Sequence, residues 1–516
     1  MSRSKITSQT VSSAPQHAEH TAVNRSMAKG AAWMVAMRLA IRFIGIISTI
    51  VLARLLVPAD FGLVAMAMMI YGFIEIMGQF GFDVVLIQKQ NIGRDYYDTA
   101  WTLSIIRGLV VALMLFAGAG VAADFFGDQR LVKIIHVLCL VAFIGSFENI
   151  GIVNFRKDMN FGKDFQFMVS VKLCTFVVTL VFAFILQTYW ALVIGIAAST
   201  LAKLCLSYFM HPFRPRWSFA RWREIMNFSK WLVLNNILIF TNQRSDSLIV
   251  GKILGPATLG LYTVAHEIAT MATSELVAPI RRALLPGYAK LAHDPEALLK
   301  SFVDGFALIM MIAAPIAIGM GLVADPLVRL FLGDKWLAAI PMLQALAIFG
   351  FLQISSSNIG PVFLALGRPR LVMIVTALSV GIGIPFTIFA TLRWGVTGTI
   401  WSLVATNLII AIIWLVLAVR VLKLAPTGLF VAVWRTFAAL LAMVFIVAFV
   451  SANYAGDGSA QSLPLILASQ VLAGALTYLG VHLGLWRLCG SPDGSEQQAL
   501  GAMAAKTGRM QKYFPI

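Results

Sequence analysis

ARLLVPADFGLVAMA, residues 53–67, returns 198 residues later as GKILGPATLGLYTVA, residues 251–265. Leu56/Leu254, Pro58/Pro256, Ala59/Ala257, Gly62/Gly260, Leu63/Leu261 and Ala67/Ala265 are identical, while Arg54/Lys252 and Phe61/Leu259 are similar. The same register pairs Trp33 with Trp231. Each copy reads as a tight turn between two helices: proline ends the first register, and the glycine that follows admits close packing where the next helix begins. Two such turns in one register indicate a duplication.

Composition fixes the setting of the repeat. Of 516 residues, 59% are hydrophobic and 12% charged, against about 45–50% and about 25% in a soluble domain. Apolar stretches of about 20 residues, each long enough to cross a hydrocarbon core of about 30 Å as a helix, recur along the chain. Roughly fourteen such spans are expected, and inside a bilayer helices satisfy their own backbone. The expectation is an all-α polytopic membrane protein. An even number of spans between the repeats gives both copies one orientation, so the halves are parallel-related. The expected organisation is a disordered cytoplasmic tail at 1–26, a six-helix bundle at 27–210 and a basic cytoplasmic linker at 211–228. A second six-helix bundle at 229–421, two additional helices at 422–488 and a cytoplasmic tail at 489–516 complete it. The last pair carries little charge beyond Arg435, which is expected to snorkel, and a peripheral, lipid-facing role is assigned to it.

The formal net charge is +17. Most Lys and Arg fall in the tails and alternate loops on one side of the expected spans, which places both termini in the cytoplasm. The densest basic loop, HPFRPRWSFARWREIMNFSK at 211–230, reads as a topology signal in contact with membrane lipid headgroups, and no nucleic acid is implied. The first 26 residues lack the apolar core of a signal peptide. Cys139, Cys174, Cys205 and Cys489 show no CxxC spacing and are expected to be buried small hydrophobes.

Charge within spans needs explanation, since one charged side chain at the bilayer centre costs about 2.5–3.5 kcal/mol. Arg42 lies near the middle of the first span, and Arg38, Arg42, Gly45 and Thr49 share one helical stripe. These two guanidiniums either form an anion site or pair with structural carboxylates such as Glu75. Lys172, which shares a stripe with Thr175 and Thr179, as well as Lys203 and Arg107, lie roughly 10–13 Å from their inner helix ends, where they either snorkel or face a cavity. Residues 239–255, IFTNQRSDSLIVGKILG, hold seven consecutive polar residues from Thr241 to Ser247. Such a run goes almost twice round a helix, so the segment is surrounded by protein and water or is locally unwound beside a cavity. Arg244 would face that cavity, with Asp246 its partner or a proton acceptor. The matching stretch in the first copy, Phe43 to Thr49, is apolar except at its end. Glu267 shares a stripe with Thr263, Thr270 and Ser274, and Glu275 follows two turns on.

No phosphate loop GxxxxGK[ST], HExxH, GxSxG or DxD-like pair occurs, and the histidines are scattered, so neither nucleotide hydrolysis nor a resident metal or cofactor is expected. A membrane-bound sugar polymerase or ligase would need a large outer loop, and the longest one expected, 324–337, is short.

At ARLLVPADFGLVAMA, QFGFDVVLIQKQ (79–90) and DTAWTLSIIRG (98–108) the sequence resembles the Wzx-type polysaccharide-unit flippases. Their superfamily also holds lipid II flippases and multidrug and toxic-compound extruders. The resemblance covers most of 27 to about 420, in helical-packing motifs that are specific for family and weak for substrate. It implies a bacterial inner-membrane carrier of polyprenyl-diphosphate-linked oligosaccharide, built as a V of two bundles around an often basic cavity. Arginines of the first helix matter in similar proteins, and Arg38 and Arg42 occupy comparable places. The last two helices resemble those of fourteen-helix exopolysaccharide and colanic-acid exporters. Glycosyltransferase, polymerase and chain-length-control proteins are the partners implied.

The residues themselves agree on the chemistry: an anionic diphosphate suits a cationic, hydrated site, and arginine grips phosphate oxygens in pairs. The candidate substrate contacts are Arg38, Arg42, Lys172 and Arg244, and the candidate ion-coupling acids are Asp246, Glu267 and Glu75. Two other readings stand beside this one: a drug or cation extruder on the same frame, which would favour an acidic cavity, and a non-transporting scaffold, which would need no polar run at 241–247.

Overall fold

The computed structural model describes residues 14–78, 86, 92–271, 275, 277–453, 462–491 and 496–497. Among them there is no strand. The main helices are α1 (Ala14–Leu55), α2 (Pro58–Met77), α3 (Arg94–Phe126), α4 (Arg130–Gly145), α5 (Phe161–Leu186), α6 (Trp190–Met210) and α7 (Trp222–Ala269). They continue as α8 (Ala278–Leu291), α9 (Pro295–Leu322), α10 (Ala339–Ser356), α11 (Pro369–Leu422), α12 (Pro426–Asn453) and α13 (Leu463–Leu488). Eleven described helices are long and apolar enough to cross a membrane. They become twelve if α4 and the short helical segment Ile150–Lys157, bent 73° from it, form one span. The chain is therefore an all-helical, multi-pass membrane protein. Helix α1 begins at Ala14, inside the stretch expected to be a disordered tail, with Pro15 in its first turn, where a missing N–H costs nothing.

Two compact units divide the chain. The first comprises residues 1–55, 70–123 and 129–237; the second comprises 56–69, 124–128 and 238–516.

In the first unit α5 packs on α6 and α1, and α4 packs on α6. Gly195 of α6 lies against the Thr179 hydroxyl of α5, where a Cβ would overlap it, so the two helices cross at a glycine. The linker after α6 is a strap with backbone hydrogen bonds of its own. Buried Asp98 accepts from Arg216 N at 2.8 Å, Thr102 Oγ1 from Ser218 N at 3.0 Å, and the Asn149 amide donates to Phe213 O at 2.8 Å. Trp217 meets the edge of Trp101 at 5.5 Å, and Arg94 donates to Arg214 O at 2.6 Å. Asp98, Thr99, Trp101 and Thr102 belong to the DTAWT run, whose structural role is thus to receive the strap.

The second unit contains both copies of the repeated turn. Gly62 and Gly260 face each other so closely that a Cβ on Gly62 would overlap Pro256 O, and one on Gly260 would overlap Pro58 O. The same Cβ positions lie 2.9 Å from Gly260 N and 3.0 Å from Gly62 N. Each glycine thus abuts the proline of the opposite copy. Phe61 packs edge-on at 5.2 Å against Trp336, which is fully buried. The Lys252 ammonium donates to Phe125 O near the end of α3, where a cation complements unpaired helix carbonyls.

Two helices of the second unit leave helical geometry at a single glycine, α7 at Gly255 (φ 80°) and α11 at Gly395 (φ 58°). With 54 residues α11 would run about 80 Å if straight, far beyond the about 30 Å of a hydrocarbon core. The break folds it into two arms, joined by hydroxyls: Thr391 and Thr399 are 2.8 Å apart, and Ser402 donates to Thr387 at 3.1 Å. The core of this unit, centred on Phe302, Phe306, Met310, Tyr288 and Phe363, lies among α8, α9, α12 and the helical turn preceding α11.

Two expectations are corrected. Arg435 is not a snorkelling side chain: it is buried, with Nη2 2.9 Å from Glu496 Oε1, a carboxylate from beyond α13 that also lies 3.4 Å from His482 Nε2. Burial in an apolar helix pair forces a countercharge. Helix α12 packs on both α9 and α13, though Leu441 and Phe445 leave its outer face apolar and exposed. The four cysteines are free, but Cys174 and Cys205 lie on exposed helix surfaces, Cys489 is exposed just past the end of α13, and only Cys139 is partly covered. A thiol is apolar enough to sit on the outside of a membrane helix as well as in its core.

Candidate functional site

Each unit carries its own charged cluster on membrane helices. In the first, Val35, Leu39 and Phe43 form an exposed apolar stripe of α1, while Arg38 and Arg42 are half-buried on the remaining faces and the Arg42 Nε is fully enclosed. Lys172 of α5 reaches α1 at Gly45: a Cβ there would stand 3.9 Å from its Nζ. Gly45 lies three residues after Arg42 on the same stripe. The absence of a side chain at Gly45 therefore admits a second cation beside the arginine. Two of the expected substrate contacts, on separate helices, are thereby brought to one face, with Arg38 one turn away.

Glu75 lies on α2 of this unit, where it hydrogen-bonds the Tyr71 hydroxyl. That hydroxyl is also within electrostatic reach of Arg107, whose stem packs against Gly78 at 3.0 Å from the position a Cβ would take. Lys203 has Glu148 within electrostatic reach. Lys203 thus has a countercharge close by.

In the second unit the polar run Thr241–Ser247 is continuous helix within α7, so the polar residues are carried without unwinding and the break comes later, at Gly255. Asn242, Gln243 and Arg244 are exposed, whereas Ser245, Asp246 and Ser247 are half-buried. Asp246 Oδ2 accepts from the Tyr262 hydroxyl, which comes from the arm beyond Gly255 and is 1% exposed. Its Oδ1 is buried and accepts no hydrogen bond among the described residues. His266 follows one turn after Tyr262, with ring centroids 5.6 Å apart, and lies 5.8 Å from Phe349 of α10. Glu267 is exposed on the same arm. Ser274, expected on the Glu267 stripe, lies outside the described residues, as does most of QFGFDVVLIQKQ.

Sequence reasoning singled out Asp246 but missed Tyr262 and His266. Their i, i+4 spacing places them on one helical face, a signal present in the sequence. What it lacks is the fold at Gly255 that turns this face onto Asp246. Among the described residues no group of three His, Cys, Asp or Glu is placed to hold a metal ion.

Long membrane helices in two units, with charged side chains carried on them, define a polytopic membrane protein. The chain belongs to the polysaccharide biosynthesis protein family, which it matches over residues 51–341. It is 26% identical over 343 residues to the lipopolysaccharide biosynthesis protein WzxC of Escherichia coli (strain K12), covering 66% of this chain and 70% of that protein. It is 24% identical over 469 residues to the teichuronic acid biosynthesis protein TuaB of Bacillus subtilis (strain 168), covering 89% and 95%. Among solved structures it superposes on the lipid II flippase MurJ in its inward closed conformation with a TM-score of 0.70, at 13% identity, over 88% of this chain and 99% of that one. At that identity the likeness establishes a shared fold.

Proposed function

We propose that this protein turns polyprenyl-diphosphate-linked oligosaccharide units from the cytoplasmic to the periplasmic leaflet of the bacterial inner membrane, by alternating access, for polysaccharide assembly. The observation that carries the reading is the approach of Lys172 to α1 at Gly45, three residues after Arg42: two cations carried on apolar helices suit a diphosphate, which brings about two negative charges and several acceptor oxygens that a planar guanidinium fork can hold in pairs. Arg38 extends that surface within the first unit, and Arg244 supplies an exposed guanidinium in the second. Relatives named for lipopolysaccharide and teichuronic acid biosynthesis, and a structural neighbour named as a lipid II flippase, support the substrate class. An extruder of cations would be poorly served by these charges.

With the helices divided at Gly255 and Gly395, and α4 and Ile150–Lys157 taken as one, the chain would cross the membrane fourteen times with both termini in the cytoplasm. The energy would come from an ion gradient, with Asp246, Glu267 or Glu75 as the coupling acid, and the reaction is transport without covalent chemistry. Glycosyltransferase, polymerase and chain-length-control proteins would act before and after it.

The test is mass spectrometry of polyprenyl-diphosphate lipids from cells lacking the protein. A defined oligosaccharide lipid is expected to accumulate and to clear when the wild-type gene is restored. Unchanged lipid pools, with reduced export of an unrelated cation, would replace this reading by the extruder.

A further inference from the structure

We infer that Asp246, Tyr262 and His266 form a proton-binding site in the second unit, and that the ion driving this protein is H⁺. The inference rests on the reading of the chain as a gradient-driven carrier and names the coupling group and the ion.

Three observations converge on the site. The first is depth: counted from the break at Gly255, Asp246 and His266 lie about 14 and about 17 Å along their arms, near the middle of a core about 30 Å thick. Titratable groups there are expensive unless they serve the protein. The second is incomplete satisfaction. An ionised carboxylate offers about four lone-pair positions, and Asp246 has the Tyr262 hydroxyl on Oδ2 while Oδ1 is enclosed without a donor among the described residues. A proton on Oδ1 cancels the buried charge and leaves the bond from Tyr262 in place. The third is a second titratable group beside the first. The His266 imidazole packs between Tyr262 and Phe349, and the charges acting on it are those of Asp246, Arg244 and Glu267. Helix α10, which contributes Phe349, contains no charged residue between Ala339 and Ser356. An imidazole can take up or release a proton at a ring nitrogen, so His266 is suited to exchange one with Asp246.

The donor set favours H⁺ over a metal cation. Hard cations gather six or more oxygens; here there is one open carboxylate oxygen, a hydroxyl whose hydrogen already points at the carboxylate, and an imidazole. The repeat shows that these groups were added to the frame: at the matching positions the first copy has Ser48, Val64 and Met68. The rival account is a structural Tyr–Asp pair that ties the arms of α7 together, and such a pair keeps one protonation state throughout.

That difference can be read without knowing the substrate. The full-length protein in lipid nanodiscs would be followed by infrared difference spectroscopy between pH 8 and pH 5 in KCl. The expected result is a protonated-carboxyl C=O band that titrates in the wild type and is lost in Asp246→Asn. In Tyr262→Phe, which keeps the carboxyl but deletes its donor, the midpoint is expected to move by about one pH unit or more. His266→Gln should remove an imidazole signal that titrates with the band, and replacing KCl by NaCl should leave the midpoint unchanged. A band that survives in Asp246→Asn, a wild-type midpoint in Tyr262→Phe, or a midpoint that follows Na⁺ would each overturn the inference. All three would leave the lipid-accumulation test of the transport reading untouched, so the two ideas fail separately.

Discussion

At Gly62 and Gly260 the repeat meets itself. Each glycine is backed by the carbonyl of the proline that opens the opposite copy, and the space for a Cβ is filled by main chain, which cannot swing aside as a side chain end could. Overpacking a core typically costs about 1–3 kcal/mol, and here backbone must move. Gly62→Ala and Gly260→Ala are each expected to lower thermal stability in detergent by at least that much, and by similar amounts, since the contacts are reciprocal. Gly360→Ala, where a Cβ meets nothing within 4 Å, is the control. The identity of these glycines was legible from sequence, because only the duplication needed to be noticed. That they touch one another was not, because a repeat register says which residues are equivalent and nothing of which are neighbours.

Among the elements, the strap at 211–221 shows most that its sequence reading lacked. Its arginines and tryptophans suggested a loop lying on lipid headgroups, and its backbone is in addition pinned by Asp98, Thr102 and Asn149. The DTAWT run that receives it was recognisable as a motif, but its purpose depends on a partner more than a hundred residues away. Asp98→Ala strips Arg216 N of its acceptor; a hydrogen bond to a charged group contributes about 1.5–3 kcal/mol, so amide protection over 213–218 is expected to fall by one to two orders of magnitude in hydrogen exchange. The strap also has a pH response. Burial, then the nearby Lys163 ammonium, push the His211 imidazole below its usual range against the pull of Asp158, and its Nδ1 accepts from Phe213 N at 3.2 Å. Because the docked value lies below the free value of about 6.5, the undocked strap binds more protons. Docking strength is therefore full above about pH 6.5 and is lost as pH falls through the lowered value. Exchange at Phe213, corrected for its intrinsic rate, should quicken on acidification in the wild type and lose that dependence in His211→Gln.

For the whole molecule, the duplication supplied one frame twice and each copy spent its polarity differently. The first holds Arg38 and Arg42 on α1, where the second has Asn236 and Phe240; the second holds Asp246, Tyr262 and His266, where the first has Ser48, Val64 and Met68. On the function proposed above, this asymmetry would give anion binding to the first unit and the ion to the second. The candidate cations Arg42 and Lys172 were visible in sequence as charges too deep to ignore. Their convergence at Gly45 was hidden, since it depends on how α5 packs against α1. The proton site was half visible: Asp246 stood out in a polar run, while Tyr262 and His266 passed as ordinary aromatic and apolar-flanked residues until the fold at Gly255 joined them. The measurement that bears most directly on the central claim is transbilayer movement in vesicles containing the purified full-length protein and the oligosaccharide lipid recovered from cells lacking it. After glycan exposed on the outside has been removed by periodate, the account predicts that wild type brings the protected half of the lipid to the outer leaflet, while Arg42→Ala and Lys172→Ala slow this sharply and empty vesicles do not allow it. Wild-type vesicles that keep their inner half protected, or variants that move it at the wild-type rate, would contradict the account.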